Sequence, residues 1–221
     1  MHSFVQPIYI CSKYVREFVF SVPVFRTLYP TNATAIVGYF LSLLLRQGMV
    51  VAPNKLYHRR LFDGIRYPVG KLHEDETVIH EIIGMTNTVA WVDEAHYLYR
   101  ESPNSITTAK FSLKRLDETY AKEQRIAWFE AHNMPDLADR TRIVYLNNLI
   151  RLYRTAQARV EDRSAAKDAC RKLHKRFCEL YGPELVGGQG RAYRLCCFLF
   201  RYMPALYSRL ENLRLKRKEI T

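Results

Sequence analysis

The chain has 221 residues, of which 48% are hydrophobic and 25% charged, with a net charge of +12 at pH 7. These are ordinary globular values, and the length is sufficient to bury a sizeable core. The charge is unevenly distributed, because residues 1–106 carry 10 Lys and Arg against 9 Asp and Glu, whereas residues 107–221 carry 24 against 13. The basic character therefore belongs to the C-terminal half.

The cysteines and the apolar segments indicate the cellular compartment in which the protein is expected. The five cysteines form no Cys-x-x-Cys pair and no metal-ligand spacing, so we expect reduced thiols in a cytoplasmic protein. No N-terminal segment has the pattern of a signal peptide. The longest strongly apolar run, residues 33–45, is too short to cross a bilayer. The sequence predicts a soluble protein or one held peripherally on the inner face of a membrane.

Strand-like and helix-like patterns alternate over the first hundred residues, which predicts an α/β layer. We predict strands at residues 5–10, 18–25, 49–52, 88–92 and 97–99. We predict helices at residues 31–47, 55–62 and 77–85.

From about residue 108 the apolar residues recur at helical spacing. Two adjoining apolar stripes belong to one long helix and comprise Ile143, Leu146, Ile150 and Tyr153, and Tyr145, Leu149, Leu152 and Ala156. A second helix carries the stripe Cys170, Leu173, Phe177 and Tyr181. A last helical hairpin is predicted around Pro204. The C-terminal half is therefore expected to be mostly α-helical.

An acidic cluster, Glu74-Asp75-Glu76, follows a turn at Pro68 to Gly70. Loops that follow such turns are where catalytic groups tend to lie, so these carboxylates are candidates for chemistry. The same residues would also suit a solvated loop or the first turn of a helix, where carboxylates favour the positive end of the helix dipole. Spacing alone leaves both interpretations open.

The residues around this cluster form a longer ordered pattern. Its segments are Asn54-Lys55-Leu56-Tyr57, Arg60-Leu61-Phe62, Gly64-Ile65-Arg66-Tyr67-Pro68-Val69-Gly70-Lys71, Glu74-Asp75-Glu76, Trp91-Val92-Asp93-Glu94, Tyr97-Leu98-Tyr99-Arg100, Ser105-Ile106 and Phe111-Ser112-Leu113-Lys114-Arg115-Leu116-Asp117. In order and spacing they resemble the C-terminal half of the catalytic domain of family 2 glycosyltransferases. The resemblance implies a truncated α/β layer of the GT-A type over residues 1–106 and a basic helical extension over residues 107–221.

The resemblance also assigns roles to single residues. Asp75 would be the base that takes the proton of the acceptor hydroxyl, and Glu74 would orient the acceptor or Asp75 itself. A guanidinium near the cleft would suit a diphosphate or a phosphate-bearing acceptor, although an arginine there can equally be a surface residue. The contacts implied for acceptor or phosphate are Arg100, Ser105, Asn54 and Lys55.

One part of the family pattern is missing. Family members begin with a nucleotide-binding half that ends in an Asp-x-Asp motif, which holds the metal ion and the diphosphate, and this sequence contains no Asp-x-Asp. We therefore expect a fragment, a misplaced start or a degenerate copy of an inverting enzyme, inactive alone and without a cofactor. The complete enzyme would use Mn²⁺ or Mg²⁺, a nucleotide sugar and a lipid-linked or glycan acceptor in surface polysaccharide or glycolipid assembly.

The alternative hypothesis is a non-catalytic basic helical module that binds an anionic membrane surface through residues 107–221. Basic residues of the tail, Arg209, Arg214, Lys216, Arg217 and Lys218, are predicted to flank an apolar stripe of Leu206, Tyr207, Leu210 and Leu213. Charge runs of this kind are also common on solvated helix faces. The usual nucleic-acid-binding motifs are missing, so no nucleic acid partner is expected.

Overall fold

A computed structural model describes residues 7–11, 14–15, 27–30, 50–53, 55–86, 88–92, 97–98 and 110–218. Its α-helices are α1 Glu74–Gly84, α2 Asp117–Ala131, α3 Pro135–Arg159, α4 Arg163–Leu180, α5 Pro183–Gly187, α6 Arg191–Tyr202 and α7 Pro204–Lys218. Short 3-10 helices lie at Arg59–Phe62 and Leu113–Leu116. The strands are β1 Pro7–Cys11, β2 Tyr14–Val15, β3 Thr27–Pro30, β4 Lys55–Tyr57, β5 Thr88–Val92 and β6 Tyr97–Leu98.

Four of the strands form a small mixed sheet in the order β3-β5-β1-β4. β1 pairs in parallel with β5 and antiparallel with β4, so that Ile8 lies opposite Val89 on one side and Tyr57 on the other. β2 and β6 form a separate parallel pair. The sheet matters for the site because β4 leads from its edge into the residues that precede α1.

The buried core lies among the helices. α1 packs on α2, α2 on α3, and α3 on α4, and the 25-residue α3 is the central helix of this series. The apolar positions of α3 recur at helical spacing and cover a broad face, as the sequence predicts. The fully buried residues include Phe129, Tyr145, Leu146, Leu149, Phe177 and Phe200.

Aromatic rings join the C-terminal hairpin, α6 and α7, to this core. The ring of Phe200 contacts Phe177 of α4 at 4.7 Å between centroids, Tyr153 of α3 at 5.1 Å and Tyr207 of α7 at 5.4 Å, each edge-on. Edge-on pairs contribute about 0.5–1.5 kcal/mol each beyond the area that they bury. Phe200 therefore fixes one face of the hairpin against the protein.

The predicted α/β fold of the GT-A type is wrong. Over residues 50–53, 55–86 and 110–214, where side chains are described, the chain is 75% helical and β4 is the single strand, so the protein is mainly helical. The physical reason is the partner of α1, whose apolar residues Val78, Ile79, Ile82 and Ile83 join the helical core. In a GT-A layer that face would instead cover a sheet.

Some of the individual helices and strands were predicted correctly, unlike the fold class. The strand predicted at residues 88–92 is confirmed, as are the helical stripes around Leu149 and Phe177. The helix predicted at residues 55–62 is instead β4 followed by a 3-10 helix, because His58 is extended and its Nδ1 accepts a hydrogen bond from the Arg60 N–H. The predictions for residues 18–25 and 31–47 lie outside the described residues.

No described helix is both long and apolar enough to cross a membrane. The boundary predicted between residues 106 and 107 stays a prediction. The main apolar cluster includes Leu61 and Ile65 as well as residues of α1 to α4 and α6. Residues on both sides of that boundary therefore share one core.

Candidate functional site

Asp75 lies in the first turn of α1, where the chain has just left a loop. His73 has the left-handed backbone angles φ 61° and ψ 37°, and this turn directs the chain into the helix. Oδ1 of Asp75 accepts a hydrogen bond from the N–H of Glu76 at 2.8 Å, and Oδ2 accepts one from the N–H of Ala52 at 3.2 Å. The carboxylate is thus held between the start of α1 and the segment before β4.

A second carboxylate fixes the loop that precedes α1. Asp117, the first residue of α2, accepts a hydrogen bond from the N–H of Leu72 and another from Nζ of Lys71, both at 3.2 Å. The Lys71 ammonium also lies 5.1 Å from the centre of the Tyr120 ring. These contacts anchor the loop to α2, and they therefore set the direction in which α1 begins.

The electrostatic setting of Asp75 suits a proton acceptor. Burial raises the pKa of Asp75, while the hydrogen bond from Ala52 and the neighbouring His73 and Lys55 oppose that rise. Burial lowers the pKa of Lys55 to about 8, and Asp75 opposes that change. The Lys55 ammonium donates a hydrogen bond to the carbonyl oxygen of Val51. A general base works best when its pKa is near the working pH, and burial moves Asp75 in that direction.

Two phenols border the same carboxylate. The pKa of Tyr57 is raised by burial, by Tyr67 and by Asp75, and the pKa of Tyr67 is raised by burial, by Asp75 and by Glu74. Phe62 packs beside both rings, at 5.5 Å from Tyr57 and 5.9 Å from Tyr67. Within the described residues the Tyr57 hydroxyl is buried and has no hydrogen-bond partner.

Glu76 belongs to a different cluster. Its carboxylate is buried and accepts a hydrogen bond from the Lys122 ammonium. Arg125 lies 3.7 Å from the same oxygen and donates to the Glu76 carbonyl oxygen at 3.1 Å. Burial lowers the pKa of both Lys122 and Arg125. Glu76 therefore has a structural role, since it neutralises cations that α2 places in the core.

His80 is an uncharged core residue. Both of its ring nitrogens are buried without a hydrogen-bond partner among the described residues, and the Glu81 carboxylate is 4.0 Å from Nε2. Burial, helped by Arg125 and His132, lowers the pKa of His80 to about 3. The ring packs on Trp128 at 5.6 Å. The described residues contain no group of three or more His, Cys, Asp or Glu that could hold a metal ion.

Among the residues predicted from sequence, the structure brings Asp75 and Lys55 together. Glu74 begins α1 and is exposed. Asn54, Arg100 and Ser105 lie outside the described residues. Sequence reasoning assigned no role to Tyr57 and Tyr67, although both stand inside the segments of the family pattern. Their types and positions were visible, but their approach to Asp75 depends on how β4 and the following loop fold back on α1.

The chain was also compared with known proteins. No family model matches it, and no curated protein matches it in sequence. A function for this chain is consequently argued from the geometry of the site itself.

Proposed function

We propose that this chain supplies the acceptor side of an inverting glycosyl transfer reaction, with Asp75 as the general base. The observation that carries the proposal is the partly buried Asp75 carboxylate, which has a raised pKa and is fixed at the start of α1 by two backbone N–H groups. Lys55, Tyr57 and Tyr67 lie near enough to Asp75 for its charge to raise the pKa of each. The GT-A fold forms no part of the proposal.

The chemistry follows from the lone pairs of the carboxylate. Each Asp75 oxygen accepts one backbone N–H, which leaves capacity to accept a hydrogen bond from a sugar hydroxyl. As that hydroxyl oxygen bonds to the anomeric carbon of the donor, the bond to the diphosphate breaks and the proton passes to Asp75. Base catalysis of this type typically contributes about 10² to 10⁴ in rate. The Lys55 charge favours the ionised carboxylate before the transfer.

Binding of the donor must come from elsewhere. The sequence lacks the Asp-x-Asp motif that holds the nucleotide diphosphate in the family, so we propose that a separate donor-binding half completes the enzyme. The chain alone is then expected to show no metal-dependent binding of UDP- or GDP-sugars in calorimetric titration with Mn²⁺. Tight binding of a nucleotide sugar that a chelator abolishes would contradict the proposal that a separate half binds the donor.

The test is a transfer assay in a chain to which a donor-binding half has been joined. Asp75→Asn keeps an oxygen that accepts hydrogen bonds but removes the proton acceptor, so turnover should fall by about 10² or more with donor binding unchanged. Asp136→Asn is the matched control, because this exposed aspartate lies in the first turn of α3 and its change should have little effect on turnover. Comparable turnover in the two variants would remove the assignment of Asp75.

A further inference from the structure

The C-terminal hairpin carries most of the exposed large apolar side chains of the described residues. Outside it, such side chains occur singly, at Leu56, Val69, Met85 and Tyr120. Within it they are 42–60% exposed and comprise Leu195, Phe198, Tyr202, Met203, Leu206, Leu210 and Leu213. We call these seven residues the hairpin surface. A concentration of this kind marks an interaction site, because single exposed apolar residues are ordinary but clusters are not.

The spacing of these residues makes one stripe on each helix. Leu195, Phe198 and Tyr202 follow one another at three and four residues along α6, and the rings of Phe198 and Tyr202 are in contact at 4.8 Å. Leu206, Leu210 and Leu213 follow one another at four and three residues along α7. The inward sides are taken by other residues, including Cys197, Phe200, Tyr207 and Ser208.

Tyr207 corrects part of the stripe predicted from sequence. The predicted stripe places Tyr207 with Leu206 and Leu210, but Tyr207 is buried under the ring of Phe200. The exposed stripe of α7 is therefore made of leucines, and α6 adds a second stripe that the sequence analysis did not assign.

The hairpin is also strongly basic. Residues 191–218 contain eight Lys and Arg residues against one Glu. Arg194 is exposed next to Leu195, and Arg209 is exposed next to Leu210. Arg201 lies 5.5 Å from the Tyr202 ring and donates to the carbonyl oxygen of Cys178. Apolar stripes bordered by arginines are the pattern of helices that lie in the interface of an anionic bilayer.

We propose that the hairpin surface binds the face of a phospholipid bilayer that contains anionic lipid, with the leucine and aromatic side chains among the acyl chains and the arginines at the phosphates. Charge decides against a second copy of the chain, since two hairpins with this excess of positive charge would repel each other. The aliphatic residues decide against a nucleic acid, because bases stack on aromatic rings and leucine offers no such face. This inference is independent of the proposed function.

The experiment is co-sedimentation of the full chain with vesicles of phosphatidylcholine alone and with vesicles that also contain phosphatidylserine. We expect binding to the second kind, weakened by added salt. Leu210→Ser should reduce the affinity about tenfold, since that side chain is half exposed in the protein and would be buried in lipid. Val69→Ser is the matched control, because Val69 is fully exposed outside the hairpin, and it should bind like the wild type.

Charge is tested separately. Arg194→Gln with Arg209→Gln should lower the affinity for phosphatidylserine vesicles about 25-fold, at about fivefold per residue. Lys167→Gln with Lys172→Gln, which removes two exposed charges from α4, is the control and should have a much smaller effect. Equal binding to both kinds of vesicle, or binding to neither, would overturn the proposal. An equal loss of affinity in the arginine and the lysine double variants would overturn it too. Lipid-free dimers or oligonucleotide complexes that Leu210→Ser disrupts would overturn it as well.

Discussion

Glu76→Gln is predicted to destabilise the protein severely, although Glu76 is one of three consecutive carboxylates and looks interchangeable with them. Its carboxylate accepts a hydrogen bond from Lys122 and lies 3.7 Å from Arg125. The three side chains are at most 10% exposed, so water screens their charges little. The substitution would leave Lys122 and Arg125 buried with no carboxylate between them.

Two general energies give the expected loss of unfolding free energy. Two unit charges about 4 Å apart attract by about 4 kcal/mol at an effective dielectric constant of about 20. Removing one partner of a buried ion pair typically costs about 3–5 kcal/mol. Because glutamine still offers an oxygen to Lys122, we expect the lower end of that range, about 3 kcal/mol. This is a large fraction of the roughly 5–15 kcal/mol by which a domain is normally stable.

Urea unfolding followed by tryptophan fluorescence measures this loss. The control is Glu74→Gln, an exposed neighbour whose change should stay within about 0.5 kcal/mol. Adding Lys122→Met to Glu76→Gln should restore part of the stability, since it removes one of the buried charges left without a partner. A cost below about 1 kcal/mol for Glu76→Gln, or no recovery in the double variant, would refute the reasoning.

Three further predictions concern stability. The pKa of His80 is about 3 in the folded protein and about 6.5 in the unfolded chain, so stability is lost as the pH falls below 6.5. Urea unfolding measures the stability lost between pH 7 and pH 5, and this loss should be about 2 kcal/mol smaller in His80→Leu than in the wild type. Gly84→Ala would push a methyl group into the Trp128 ring and should cost about 1–3 kcal/mol with a changed near-UV spectrum, whereas Gly187→Ala meets nothing within 4 Å and should cost far less. Asp162→Ala removes the acceptor for the first N–H groups of α4 and should lower the unfolding free energy by about 1 kcal/mol; an unchanged urea midpoint would exclude that cap.

The helical C-terminal half is predictable from the sequence because its signal is long and periodic. In α3 the apolar residues recur over 25 positions, and the structure buries Tyr145, Leu149 and Ala156 as the spacing predicts. The hairpin around Pro204 is predictable for a similar reason, since proline begins α7 at a position where a helix needs no donor. Local rules and the tertiary structure agree there.

The fold class could not be predicted because short apolar runs do not identify their partners. Strands of two to five residues and an 11-residue helix fit an α/β layer as well as a helical protein with a small sheet. What decides is whether α1 covers a sheet or another helix, and that depends on contacts between residues distant in sequence, such as those between α1 and α2. The resemblance around Asp75 describes local segments and carries no information about that packing.

The Glu74-Asp75-Glu76 triplet shows why site residues are harder to predict than elements. Successive residues of an α-helix are rotated by about 100°, so three adjacent carboxylates point in three directions. Glu74 faces solvent, Asp75 faces the loop before β4, and Glu76 faces the cations of α2. The sequence shows only three acidic residues in a row. Their different roles follow from the neighbours of α1, which the sequence does not identify. A substitution that tests the chemistry must therefore change Asp75 and spare Glu76, since loss of Glu76 would destabilise the fold that holds the site.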